Sequence, residues 1–93
     1  MSTSLNPYKA LIKEGKLDEA IKGLSDFIGN SKEKCTDEAF YLLGNAYRKQ
    51  GNWQKALNNY LEAIERNPNS PAVQAHQMTM DILNFYNKDM YNQ

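Results

Sequence analysis

The side chains able to do covalent or metal chemistry are few and isolated. His76 is the single histidine and Cys35 the single cysteine of the 93-residue chain. A metal site needs several ligands at short spacing, and neither residue has a second His or Cys near it. Asp81, five positions beyond His76, does not share its helix face. Cys35 stands in a loop just before Thr36, with no acid–base partner evident to activate it. The carboxylates fall four residues from lysine or arginine, as in Asp18 with Lys22 and Glu62 with Arg66. That is the pattern of solvated helices. No Gly-rich phosphate loop and no Gly-x-Ser-x-Gly elbow occurs. The chain is therefore expected not to be an enzyme, and to use no catalytic residue, metal or cofactor. The chemistry left is recognition. Tyr41, Asn45 and Arg48 are spaced to share one helix face. An asparagine amide both donates to and accepts from a peptide backbone, and an arginine fork fits a carboxylate.

Composition narrows the partners. Lys plus Arg and Asp plus Glu both number 11, so the chain is neutral. Phosphate backbones are usually met by a basic excess, which argues against nucleic acid. A lone cysteine forms no intramolecular disulfide, in keeping with a reducing compartment. No apolar run reaches membrane-spanning length, and the first ten residues carry no evident leader. A cytoplasmic location is the expectation.

The elements that must hold the recognition face are helices. Ala39, Leu42, Leu43, Ala46 and Tyr47 recur at helical spacing, as do Ala56, Leu57, Tyr60, Leu61, Ala63 and Ile64. Between them, Gly51 offers a helix stop and Asn52 a cap for the next helix. Thr36 precedes the first of these helices as an N-cap, with Asp37 and Glu38 at the positive end of its dipole. Pro68 ends the second, and Ser70-Pro71 restarts the chain with a cap and a first-turn proline. Pro7 to Glu14 and Leu17 to Ile28 form an earlier pair broken at Gly15. Five helices are expected, at about 6–14, 17–29, 37–50, 53–66 and 71–88. A frayed tail is expected from Asp89. A chain of this length makes one domain, 1–93.

The helices repeat. Gly15-Lys-Leu-Asp-Glu-Ala20-Ile21 aligns with Gly51-Asn-Trp-Gln-Lys-Ala56-Leu57, thirty-six positions on. The central hairpin, with Phe40-x-x-Leu43-Gly44-x-x-Tyr47 followed by Ala56, Tyr60, Ala63 and Pro68, resembles the tetratricopeptide repeat (TPR) family, in the manner of a small bacterial TPR protein. Phe40 stands for the family's Trp and Tyr60 for its Phe. Gly44 and Ala56 are small where two antiparallel helices must approach, and the aromatic residues fill the layers around them. One full unit covers 37–70. The first hairpin, 5–36, matches only in its second half and carries Tyr8 where the small residue belongs. It resembles a degenerate terminal repeat. In the segment 71–88, Gln74, Gln77 and Asp81 fall where the family has apolar groups, so a capping helix is expected there. The resemblance thus implies an all-α fold: antiparallel hairpins stacked as a short right-handed TPR-type solenoid of five helices.

The family's first helices line a concave groove that receives a peptide. Carried onto this sequence, that places Tyr41, Asn45, Arg48 and Lys49 in the groove, joined by Lys9 and Lys13 from the first hairpin. Mutation of Asn45 and Arg48 is then expected to leave folding nearly intact. The lysine, asparagine and arginine clamp by which some family members hold chaperone tails is not reproduced, so no such ligand is expected. The last helix carries Ala72, Ala75, Met78, Ile82, Leu83, Phe85 and Tyr86 over an arc wider than one packing face needs. Met80, Ile82, Phe85 and Tyr86 are candidates for a second contact. The leading function is therefore an adaptor that binds a protein or peptide partner in the groove. The alternative is a weak homodimer through the last helix. RNA binding, suggested by other hairpins that repeat near this length, is disfavoured by the neutral charge and the core placement of the aromatics.

Overall fold

The computed structural model describes residues 5–30 and 37–91, with side chains as far as Phe85. Within them run five α-helices and no strand: α1 (Asn6–Lys13), α2 (Leu17–Asn30), α3 (Asp37–Gln50), α4 (Trp53–Arg66) and α5 (Ala72–Tyr91). Each helix packs on the next, and α1 also touches α3, so the hairpins stack side by side. The expected N-cap Thr36 and the thiol of Cys35 lie outside the described residues. So does the side chain of Tyr86. Helix α5 continues to Tyr91, three residues past the expected end at 88.

Both hairpin turns are built the same way. Gly15 and Gly51 adopt φ of 84° and 90°, a left-handed conformation that glycine enters without a side-chain clash. The next amide then reaches back along the helix, Lys16 N–H to Leu11 C=O and Asn52 N–H to Tyr47 C=O. Two such bonds satisfy carbonyls that the helix end would leave open. Asn52 caps α4, its Oδ1 accepting from the Lys55 amide at 3.3 Å. Asn67 is extended, as the residue before a proline should be. Ser70 Oγ, almost fully buried, accepts from Ala72 N–H at 3.0 Å and starts α5.

The close approach expected at Gly44 is present. A Cβ there would lie 2.6 Å from the Tyr60 ring and 3.2 Å from the Ala56 carbonyl oxygen. Tyr60, Ala56 and Ala63 have no exposed surface, and Phe40 packs beside them. The first hairpin solves the same problem in reverse. Its bulky residue, Tyr8, comes from the first helix, and the gap that accepts it is Gly23 on the second. A Cβ on Gly23 would lie 2.6 Å from that ring. Tyr8 also meets Phe27 at 6.4 Å between centroids. So the departure from the repeat pattern at Tyr8 is a swap of large and small across the hairpin, and both hairpins keep a filled core.

Helix α5 sits differently from what the family period implies. The buried residues of α3 that share a row in the cluster with the first hairpin include Ala39, Leu42 and Ala46. A 34-residue period would match them with Val73, His76 and Met80. Instead Ala72 and Thr79 are fully buried, Ala75 packs on the same core, and Val73 is 44% exposed. The helix is thus seated one residue out of register. The reason is size: Ala72, Ala75 and Thr79 let α5 lie close on α4, whereas the family register would press Val73, His76 and Met80 into that contact.

Candidate functional site

A furrow lies between α3 and the start of α5. One cleft of about 260 Å³ is walled by Tyr41, Asn45 and Arg48 from α3 and by Pro71, Gln74, Ala75 and Met78 from the α5 side. A second, of about 320 Å³, continues past Tyr41 and Pro71 to Asp37 and Glu38 at the start of α3. Tyr41 and Pro71 border both, so the two form one furrow along α3. Three of the groove residues expected from sequence, Tyr41, Asn45 and Arg48, are thereby brought together. Lys49, Lys9 and Lys13 wall neither cleft. Lys9 instead pairs with Glu38 at 2.8 Å, both side chains about half exposed. An exposed pair of this kind contributes little to stability, but it balances the charge of Glu38.

Asn45 and Arg48 are not loose surface groups. Arg48 Nε donates to the Tyr60 hydroxyl at 3.1 Å, and that hydroxyl donates to Asn45 Oδ1. A buried tyrosine hydroxyl needs partners, and these two supply them from the neighbouring helix. The near-neutral effect on folding expected for their mutation is therefore corrected: removing both would strand the Tyr60 hydroxyl, a loss of about 1–3 kcal/mol. The sequence signal for this relay was the hydroxyl itself, present on Tyr60 where the family has Phe. The Pro71, Gln74, Ala75 and Met78 wall was also missed, because α5 was read as a cap and as a second contact, not as a wall of the groove.

Burial pushes the Tyr60 hydroxyl above its ordinary value near 10. Tyr41 adds slightly to this, while the hydrogen bond and charge of Arg48 pull the other way. The folded chain thus holds this proton at a pH where the unfolded chain has released it. The contribution to stability is intact below about pH 10 and is lost as pH rises through the folded value. Tyr60→Phe is expected to remove the latest of the tyrosine transitions in an alkaline absorbance titration. It should also flatten the alkaline fall in melting temperature. An alkaline fall equal to that of the wild type would show that another group causes it.

The four residues considered for a second contact all lie in α5. Met80 and Ile82 are half-buried, Phe85 is 73% exposed, and the Tyr86 side chain is outside the description. Gln77 and Asp81 face outward and bond to each other at 3.0 Å. Among the described residues no group of His, Cys, Asp and Glu is placed to hold a metal, and no helix is long and apolar enough to cross a membrane.

Stacked antiparallel hairpins with a furrow along α3 define a helical repeat scaffold. The tetratricopeptide repeat family model matches residues 37–70. A Bacteroides fragilis protein, whose structure was solved in solution by NMR, is 58% identical, and the match covers 99% of this chain and 92% of that one with a TM-score of 0.85. The chain belongs to the tetratricopeptide repeat family. No curated protein matches it.

Proposed function

We propose that this chain is an interaction module that takes a segment of a partner protein into the furrow between α3 and α5. Members of the family mediate protein–protein interaction through a non-catalytic scaffold. The observation that carries the finer reading is the cleft in which the apolar Pro71, Ala75 and Met78 stand across from Tyr41, Asn45 and Arg48 of α3. An apolar pocket with a few fixed polar groups is what orients a bound chain. Self-association through α5 has less support, since Met80 and Ile82 are half-buried against their own chain.

Retention from native lysate on immobilised protein, followed by amide chemical-shift mapping with the retained partner, tests the proposal. Shifts are expected to cluster on Tyr41, Asn45, Arg48, Ala75 and Met78. Shifts confined to Asn84 and the residues after it would move the binding surface to the end of α5.

A further inference from the structure

The relay through Tyr60 sorts donors from acceptors, and this deepens the groove reading on which it rests. The Tyr60 hydroxyl has one proton, which it gives to Asn45 Oδ1, and it receives Arg48 Nε–H. The asparagine acceptor is thereby turned inward, leaving its Nδ2 donors for the cleft. Arg48 has spent Nε on the relay and keeps its two Nη groups. A guanidinium carries donors only, and no carboxylate among the described residues pairs with it. The polar side of the cleft therefore offers donors and one positive charge. The other end of the furrow has the opposite character. There Lys9 pairs with Glu38, and the Asp37 carboxylate accepts from the Asn67 amide at 3.5 Å, with no cation beside it among the described residues.

We infer that the cleft between α3 and α5 binds a single internal Asp or Glu side chain of the partner, held by Arg48 and Asn45. A bulky apolar neighbour of that acid packs on Tyr41 and Met78, and Tyr60 acts as a positioning residue behind the two donors. One cation accommodates one acid. The Asp37 end repels a second, so a run of acids is a poor fit and a neutral or basic residue at that end a good one. The furrow continues beyond Tyr41 and Pro71 into the second cleft, which gives the partner chain a path through the site.

The test uses fluorescent nonapeptides, acetylated and amidated at their ends, each with a central Leu or Phe flanked by Glu, Gln or Lys. They are titrated against the full chain by anisotropy, with amide shifts recorded in parallel. The Glu peptides are expected to bind roughly tenfold tighter than their Gln twins, the size of a charge-assisted hydrogen bond. Arg48→Gln should erase that difference. Tyr60→Phe, which touches no ligand, should reduce it while helicity is retained. If Arg48→Gln does not fold, Arg48→Lys serves, and it should keep only part of the preference because the fork is lost. Equal binding of Glu and Gln peptides, with shifts still at Tyr41 and Met78, would overturn the acid and leave the groove reading standing. No shift there with any peptide would overturn both. Tenfold tighter binding of peptides ending in a free carboxylate would transfer recognition to a chain end and overturn the internal acid.

Discussion

Gly44→Leu is expected to remove about 3 kcal/mol or more of unfolding free energy in a urea titration followed by circular dichroism. Even the first added carbon would lie 2.6 Å from a ring with no exposed surface, and 3.2 Å from the Ala56 carbonyl oxygen. The ring cannot retreat into solvent, and the backbone carbonyl is fixed by its helix. The hairpin must therefore open or the ring must leave its place. Domains of this size hold only about 5–14 kcal/mol in total, so a large share would be gone. Gly29 is the matched control: it lies in α2 with nothing within 4 Å of its Cβ direction, and Gly29→Leu should change stability by less than about 1 kcal/mol. The first hairpin supplies a rescue, since it places Leu24 thirty-six positions before Tyr60. Adding Tyr60→Leu to Gly44→Ala should recover part of the loss, because the smaller side chain leaves room for the methyl group. Wild-type stability in Gly44→Leu would refute the pairing of α3 with α4 through this contact.

The elements that sequence reading found are those whose signal is local. Gly51 and Gly15 mark turns because only the backbone at that point decides them, and Asn52 and Ser70 cap because their partners lie two or three residues away. The contact of Gly44 with Tyr60 was also legible, since a small residue and a large one at repeat spacing imply each other. The rotation of α5 was not. A helical period says that a face exists, and the neighbour decides which face is used. In α5 the rows Ala72–Ala75–Thr79 and Val73–His76–Met80 are adjacent on the wheel, and only the depth of the α4 contact separates them. The candidate site was half legible for the same reason. Tyr41, Asn45 and Arg48 followed from the face of α3. Their bonds to Tyr60 cross to another helix, and the opposite wall depends on where α5 is seated.

That seating gives the second large effect. Thr79 is fully buried, with its hydroxyl already bonded to Ala75 C=O at 2.7 Å, and Val73 is 44% exposed. Thr79→Glu would put an unpaired carboxylate between α4 and α5, which costs several kcal/mol or undocks the helix. The melting temperature is expected to fall by more than about 10 °C, with faster exchange of the α5 amides. Val73→Glu should be nearly neutral, because it lies at an exposed site in the first turn, where an acid suits the helix dipole. The family register reverses the two: Val73 would stand with Ala39 in the core and Thr79 with Asn45 in the groove. A mild Thr79→Glu beside a severe Val73→Glu would restore that register. The pair also separates the walls of the furrow. Thr79→Glu leaves Arg48, Asn45 and Tyr60 in place on α3 and α4 but removes Pro71, Ala75 and Met78 with the undocked helix. A partner held by both walls should then be lost while the central hairpin stays folded. A partner held by α3 alone would remain, and the furrow would reduce to the one face of α3.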